Sequence, residues 1–416
     1  MANPDTTRRK RNLARKLTAT LAAVLVLGVI ATVPSGANST AVGPCERGQV
    51  RAPGGGDVCI ATGDALAKQL TAAVRDVVAT KPIAGVVFGV WIGGKQIVTG
   101  ALGDALSGVP ASREDHFRLG NAAESMLTTV FLRLVDQGVV SLDDPVAKWF
   151  PELPKSQKVT LRMLASSTSG YADFVTTDEF NKRFDANPFQ FWTPQEVLAI
   201  AMKQPAVFAP GTSWAFSDTN FVLLGQILVK ATGQTYDELL RSNVLGPVGM
   251  PNTTYTTSAS IPEPTLHAYT NERGVYEETT YWSPSWVTYG ATATSTLEDM
   301  GRFSQAWGRG TLLSKKSHNL QVGPGNVGLG PLTPTRYYGM GAGHLNGWTV
   351  TNPQAGGYTG VISYYPPKDA VIVAFATFRP GGEIAAHYAG MVFNRLGEIV
   401  APKSPPNLDV CPRGGC

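Results

Sequence analysis

The order of hydrophobic patterns along the chain constrains its fold more than any other sequence feature. Period-two patterns typical of β-strands occur near the start and near the end, whereas patterns with a 3.6-residue period fill the middle. This order differs from the strand–helix alternation of parallel βαβ folds. It predicts an α+β fold, an α/β/α sandwich, in which an antiparallel β-sheet completed by both ends of the chain is flanked by helices and carries an all-helical insertion.

The individual elements follow from the same patterns. A hairpin is predicted over residues 85–99, turning at Gly93-Gly94. The clearest helix spans residues 121–137, where apolar residues recur at helical spacing until Gly138 ends the segment. The other predicted elements are helices at 64–78, 159–166, 193–203, 219–232, 235–243, 296–307 and 383–400 and strands at 360–365 and 369–377.

The first forty residues have a charge pattern of their own. They contain six basic residues and one acidic residue, Asp5, and the basic residues are followed by an apolar run of 17 residues, Leu17 to Val33. A basic segment, a short apolar segment and then small residues are typical of a secretory signal peptide, and an uncleaved N-terminal anchor is the alternative. Both predict an exported protein, secreted or held in the cell envelope, whose membrane contact is confined to this segment. The basic residues are Arg8, Arg9, Lys10, Arg11, Arg15 and Lys16.

The remaining chain is nearly neutral. The formal net charge is +4, and removing the +5 of the N-terminal segment (six positive charges less one negative) leaves about −1. No basic surface for nucleic acid is therefore expected. Composition then divides the chain into a signal peptide or anchor at 1–40, a Gly- and Pro-rich linker at 41–63, one folded domain at 64–400 with its helical insertion at about 121–310, and a Pro-rich tail at 401–416.

Four cysteines lie towards the two ends of the chain, at Cys45, Cys59, Cys411 and Cys416. An even number of cysteines in an exported protein predicts two disulfides, and these spacings do not match a zinc site. Pairing of Cys45 with Cys59 and of Cys411 with Cys416 is the first choice, with crosslinks between the two ends as the alternative. No metal or cofactor site is predicted.

Several motifs resemble those of the serine β-lactamase and D-Ala-D-Ala carboxypeptidase superfamily, also called penicillin-binding-protein-like. The resemblance is strongest to its class C and esterase-like branch. The similarity extends from about residue 84 to residue 396 and implies the fold of that superfamily. The segments that carry it, in chain order, are Phe117-Arg-Leu-Gly120 with Gly138-Val-Val-Ser-Leu-Asp-Asp-Pro145, Leu161-Arg-Met-Leu-Ala-Ser-Ser-Thr-Ser-Gly170, Pro210-Gly-Thr-Ser-Trp-Ala-Phe-Ser-Asp-Thr-Asn220, Leu223-Leu-Gly225 and Ser295-Thr-Leu-Glu-Asp-Met300.

The superfamily's chemistry starts with a serine at a helix start and a lysine three residues later that takes its proton. In register with Phe117-Arg-Leu-Gly120, the serine position holds Asn121 and the lysine position holds Glu124. Neither side chain can perform the original step, and no lysine in the sequence follows a serine by three residues. As residues in their own right, Asn121 and Glu124 have the spacing of a helix capping box.

Two further motifs assist proton transfer and bind substrate in the superfamily. At the Tyr-x-Asn motif this chain has Phe216 and Asp218, so the tyrosine hydroxyl is missing. At the Lys/His-x-Gly motif the resemblance gives Gln354-Ala355-Gly356. The oxyanion hole that the resemblance implies is formed by the main-chain N–H groups of Asn121 and Gly357.

The aromatic residues Trp282, Trp286 and Tyr289 fall in the insertion and are candidates for the wall of a binding cleft; plain packing of that subdomain is the alternative. A charged Glu124 would repel a ligand carboxylate about 4 Å away by about 4 kcal/mol at an effective dielectric of 20. The expected ligand is therefore a small neutral acyl or amide group, or a peptidoglycan peptide.

These observations predict a catalytically inactive binding or scaffolding protein of the cell envelope. The alternative is an active acyl hydrolase, such as an esterase, an amidase or a D-Ala-D-Ala carboxypeptidase-like enzyme, with an unrecognised nucleophile.

Overall fold

A computed structural model describes residues 43–410, and most of them build an antiparallel sheet with helices on both faces. The strands are β1 (Gln49–Arg51), β2 (Asp57–Ala61), β3 (Ile83–Ile92), β4 (Lys95–Leu106), β5 (Val109–Pro110), β6 (Phe117–Arg118), β7 (Thr254–Tyr255), β8 (Tyr269–Thr270), β9 (Glu277–Glu278), β10 (Ala293–Ser295), β11 (Arg336–Tyr338), β12 (Gly343–Leu345), β13 (Trp348–Thr351), β14 (Gln354–Ala355), β15 (Tyr358–Tyr365) and β16 (Ala370–Phe378).

The helices lie mainly between the two groups of long strands. They are α1 (Ala65–Thr80), α2 (Ala122–Asp136), α3 (Leu161–Ala165), α4 (Asp178–Ala186), α5 (Pro194–Met202), α6 (Asp218–Thr232), α7 (Tyr236–Leu240), α8 (Gly246–Val248), α9 (Leu297–Arg309), α10 (Lys315–Val322) and α11 (Tyr388–Val400).

The main sheet has the strand order β1-β2-β4-β3-β16-β15-β13-β12-β11, with β14 added to β15 and β5 added to β4. Strand β3 from the start of the chain pairs antiparallel with β16 from its end. The predicted α+β fold with a sheet completed by both ends of the chain is confirmed.

Strand β16 is buried along its whole length. Its alternate residues Ile372 and Ala374 join the core under α1 and α11, whereas Val371 and Val373 join the core under α2 and α9. Because side chains of a strand alternate between faces, one continuous apolar run can serve two hydrophobic cores. The result is the three-layer helix–sheet–helix sandwich expected from the sequence.

The proposed linker at 41–63 is wrong. Residues 49–61 form β1 and β2, and β2 pairs with β4 at one side of the main sheet. The Gly- and Pro-rich stretch between them is the turn of this hairpin, and a disulfide joins Cys45 to Cys59 with their Cα atoms 5.6 Å apart. That predicted pairing is confirmed, whereas Cys411 and Cys416 lie outside the described residues.

The insertion is also not all-helical. It contains the short strands β7, β8, β9 and β10, and it ends before residue 310, because α9 packs directly on the main sheet. At the other edge of the sheet, β11, β12 and β13 were not predicted, since each has only three or four residues.

No helix within residues 43–410 is both long enough and apolar enough to cross a membrane. The apolar run Leu17 to Val33, on which the signal peptide prediction rests, lies outside the described residues.

The disulfide gives a direct test of the N-terminal hairpin. It closes a loop of sequence separation 14, and Cys59 is fully buried whereas Cys45 is partly exposed. Cys45→Ser should lower the free energy of unfolding by about 2–4 kcal/mol through lost loop closure. Cys59→Ser should cost about 1–2 kcal/mol more, because it also buries a hydroxyl. Urea unfolding of both variants measures the difference, and equal stability of the oxidised and reduced wild type would contradict this account.

Candidate active site

The start of α2 is held in place by the sheet. Phe117 of β6 stacks on Phe375 of β16 with ring centroids 4.0 Å apart, and α2 begins five residues later. Asn121 precedes the helix in a helical backbone conformation, and its side chain makes no capping hydrogen bond. The predicted capping box is therefore wrong: the Glu124 side chain is only 2% exposed and turns towards α6 instead of back towards Asn121.

Glu124 belongs to a cluster of three acidic residues. Its carboxyl group is hydrogen-bonded to the carboxyl group of Asp218 at the start of α6, and Asp173 receives a hydrogen bond from the main-chain N–H of Asp218. Burial, followed by repulsion from Asp218 and Asp173, raises the pKa of Glu124 well above its usual value. Burial also raises the pKa of Asp218, and it raises that of Asp173 to about 6.

Two hydrogen-bonded carboxyl groups cannot both be ionised at such close range, so at least one proton is retained. Burial raises the pKa of both groups, so the pair carries less negative charge than two ionised carboxylates would. The repulsion of a ligand carboxylate expected from a charged Glu124 is weakened accordingly.

Glu124 lines a cleft of about 280 Å³. Phe216 stands in its wall, so the ring expected from the Tyr-x-Asn resemblance is present without a hydroxyl. Trp214 and Tyr338 form a further aromatic wall, with ring centroids 5.4 Å apart. Sequence reasoning missed both residues, since Trp214 was noted only as part of a motif and Tyr338 lies on the short strand β11. Burial, then the nearby carboxyl groups of Glu124 and Asp218, raises the pKa of the Tyr338 hydroxyl.

Gln354, the residue expected at the third motif, does not line the cleft. Its side-chain amide donates to the main-chain carbonyl of Ile384. Val350 and Thr351 at the end of β13, and Asn352 just after it, line the cleft instead.

The proposed cleft residues are divided between two cavities. Asn121 lines the cleft beside Glu124, whereas Trp282 and Trp286 line a second cavity together with Gly356. Tyr289 lines neither, since it packs edge-on against Tyr236.

Gly357 lines neither cavity. Its left-handed backbone lies against the main chain of Tyr269, where a Cβ atom would come within 2.0 Å of the Tyr269 carbonyl oxygen. Of the two residues predicted to form the oxyanion hole, Asn121 lines the cleft and Gly357 does not, and the pairing of their N–H groups stays a prediction.

A contact between Gly120 and Pro353 separates the two cavities. A Cβ atom at Gly120 would lie 2.8 Å from the Pro353 Cβ, so the start of α2 and the segment after β13 touch at this point. Gly120 and Pro353 line the second cavity, while their neighbours Asn121 and Asn352 line the cleft.

Comparison with known proteins gives the family. The Beta-lactamase family model matches residues 70–391. The chain belongs to the beta-lactamase family. It is 24% identical to the putative penicillin-binding protein PbpX of Bacillus subtilis (strain 168) over 286 residues, which cover 68% of this chain and 66%, just under two thirds, of that protein.

Solved structures agree with this beta-lactamase fold. A D-stereospecific amidohydrolase from Streptomyces sp. superposes with a TM-score of 0.68 and 26% identity, covering 74% of this chain and 94% of that one. A D-amino acid amidase from Ochrobactrum anthropi SV3, complexed with D-phenylalanine, gives a TM-score of 0.72 at 23% identity, covering 82% of this chain and 100% of that one.

This member of the beta-lactamase family brings polar groups of several kinds to its cleft. Three buried polar atoms there have no hydrogen-bond partner among residues 43–410: Glu124 Oε1, Trp214 Nε1 and Thr351 Oγ1. Within the same residues, no three His, Cys, Asp or Glu side chains are grouped in a way that could hold a metal ion. The residues that line the cleft thus include an N–H donor, a hydroxyl and a carboxyl oxygen that have no partner.

The acidic cluster makes stability depend on pH. Because the pKa of Asp173 is about 6 when folded and 3.8 in its ordinary state, the stabilisation from its bound proton is present at low pH and lost as pH rises from about 4 to about 6. Asp173→Asn keeps an acceptor oxygen but cannot ionise. The free energy of unfolding of Asp173→Asn minus that of the wild type should therefore increase by about 1–3 kcal/mol as the pH rises from about 4 to about 6.

Denaturant titrations of both proteins at several pH values measure this difference. Buried histidines such as His344, whose pKa burial lowers to about 4, have the opposite slope, but they contribute equally to both proteins and cancel. A constant difference between the two proteins would contradict the raised pKa of Asp173.

Proposed function

We propose that this chain is an exported, non-hydrolysing member of its family that binds an amide-containing ligand, such as a peptidoglycan peptide, in the cleft beside Glu124. The observation that carries the proposal is the set of three unpartnered polar atoms, Glu124 Oε1, Trp214 Nε1 and Thr351 Oγ1, around one cleft. Buried polar groups are nearly always hydrogen-bonded, so three such atoms around a single space favour a bound partner.

The donor and acceptor pattern favours an amide group. The indole N–H of Trp214 can only donate, which suits a carbonyl oxygen, whereas Glu124 is hydrogen-bonded to Asp218 and keeps an oxygen that can accept an amide N–H. The hydroxyl of Thr351 can do either. A neutral amide therefore satisfies all three atoms without bringing a charge into the cleft.

The absence of hydrolysis is proposed from the chemistry of the same residues. Asn121 has no ionisable nucleophile, and Glu124 is engaged in a buried hydrogen bond with Asp218. Phe216 has no hydroxyl to pass a proton to a leaving group. The similar proteins are described as penicillin-binding or as acting on D-amino acid amides, which supports an amide or peptide as the ligand without requiring its cleavage.

Isosteric variants test the ligand. Trp214→Phe removes an N–H and keeps a ring, and Thr351→Val removes a hydroxyl and keeps the branched shape. Each should weaken binding of N-acetyl-D-alaninamide by about tenfold, since each deletes one hydrogen bond in a buried site. Calorimetric titration measures the change, with Trp149→Phe as the matched control, because Trp149 does not line the cleft. Unchanged affinity in both cleft variants would overturn the proposed site.

A fluorescent penicillin tests the absence of acylation. The wild type should remain unlabelled. A variant carrying Asn121→Ser, Glu124→Lys, Phe216→Tyr and Thr351→His should be labelled slowly, because the four groups act as a unit. A variant with the first three of these changes and Gln354→His in place of Thr351→His should remain unlabelled, because the Gln354 side chain bonds to Ile384 outside the cleft. Labelling of the wild type at any one serine, mapped by mass spectrometry, would be incompatible with the proposal.

An active acyl hydrolase is the second candidate, and one observation favours it. The Tyr338 hydroxyl interacts with Glu124 and Asp218, so a phenol group is available in the cleft although Phe216 has none. Under this candidate, wild-type protein would release ammonia from D-amino acid amides, and Tyr338→Phe would abolish the release. An activity assay on the purified wild type therefore separates the two functions.

A further inference from the structure

The second cavity has a different chemical character from the cleft. It measures about 60 Å³ and is lined mainly by apolar residues, among them the aromatic side chains of Phe184, Trp282 and Trp286. Ala355 and Gly356 also line it and are partly exposed, so the cavity opens to solvent beside them. The contact of Gly120 with Pro353 divides it from the cleft, so its occupant need not be the ligand of the cleft.

One charged side chain, Arg118, lines this cavity. Its Nε and Nη2 atoms donate to the main-chain carbonyl of Thr280 at 3.3 and 3.1 Å, and Nη2 also donates to that of Ala259. The third nitrogen, Nη1, is buried and has no hydrogen-bond partner among residues 43–410.

Arg118 also lacks a counter-ion. It forms no ion pair with any carboxylate of the described part of the chain, whereas the half-buried Arg113 pairs with Asp57. Burial lowers the pKa of Arg118, but a guanidinium stays protonated at neutral pH. A positive charge beside an apolar cavity is costly unless an anion compensates it.

We propose that this cavity binds a monocarboxylate with a short apolar chain. The carboxylate would accept a hydrogen bond from Arg118 Nη1 and neutralise the guanidinium, while the apolar chain would lie against Trp282 and Trp286. The cavity volume is about the volume that two water molecules occupy in liquid water. This space fits a carboxylate group whose apolar chain extends towards the mouth of the cavity.

The structural alternative is that Arg118 serves only to tie two loops together through the carbonyls of Ala259 and Thr280. That role requires no ligand and gives no preference for an anion. The two explanations therefore differ in whether a carboxylate binds more tightly than a neutral molecule of the same size.

Propionate and butanone are suitable probes, because they have the same number of heavy atoms and neither contains an amide N–H that the cleft could bind. Ligand-observed saturation-transfer NMR on the full exported chain should give a propionate affinity at least about tenfold higher than that of butanone. Equal affinities, or no propionate signal up to about 50 mM, would overturn the proposal, since even weak specific sites bind at millimolar concentrations.

Arg118→Met keeps the apolar stem and removes the charge, and it should lower propionate affinity at least about tenfold. Arg162→Met is the matched control, because that guanidinium pairs with Asp143 away from the cavity, and it should leave the affinity unchanged. Binding of N-acetyl-D-alaninamide in the cleft should survive Arg118→Met, so failure of this proposal and failure of the proposed function are distinguishable.

If Arg118→Met does not unfold cooperatively, Ala355→Leu decides the question. It adds bulk at the mouth of the cavity and leaves the guanidinium and its carbonyl partners in place. Loss of propionate binding at an unchanged melting temperature supports the cavity as the site, whereas undiminished binding contradicts it.

Discussion

The burial of strand β16 on both faces is the constraint on which the rest of the structure depends. Its two sets of alternating side chains form parts of two separate cores, so neither helical layer can be removed without exposing the strand. One of those layers contains α2, and the stacking of Phe117 on Phe375 fixes where α2 begins. The position of the cleft is thus set by the packing of the central strand.

The cleft itself depends on how three acidic groups are kept together in a poorly hydrated space. A buried carboxylate is costly, and the cost falls when the group retains its proton or accepts hydrogen bonds. The Glu124–Asp218 pair retains at least one proton, and Asp173 accepts main-chain N–H groups of Val175 and Asp218. The retained proton and these hydrogen bonds together reduce the cost of burying three acidic groups side by side.

The sequence predicted the parts of the fold whose hydrophobic patterns are long. The hairpin at 85–99, helix α2 and strand β16 each bury a continuous face, so their periodicity is strong. Strands β1 and β2 were missed because they are short and flank a Gly-rich turn, and their position in the sheet depends on β4, which is distant in sequence. The resemblance gave six motif positions, and four of them, Asn121, Glu124, Phe216 and Asp218, lie at the cleft or are bonded to a residue that lines it.

The remaining site residues required tertiary information. The capping box failed because a hydrogen bond to Asp218, about ninety residues away in sequence, outweighs a local one across a single turn. The resemblance gave the third motif to Gln354, whose side-chain amide bonds to the carbonyl of Ile384, so that the end of β13 lines the cleft in its place. Trp214 and Tyr338 meet across the cleft from distant segments, which no local pattern could have indicated.

Pro353 links the two binding spaces of this protein. It touches Gly120 at the start of α2, and both residues line the second cavity, while their neighbours Asn352 and Asn121 line the cleft. A shift of the segment after β13 would therefore change the walls of both spaces at once. A ligand that moves this segment from one space would alter the shape of the other.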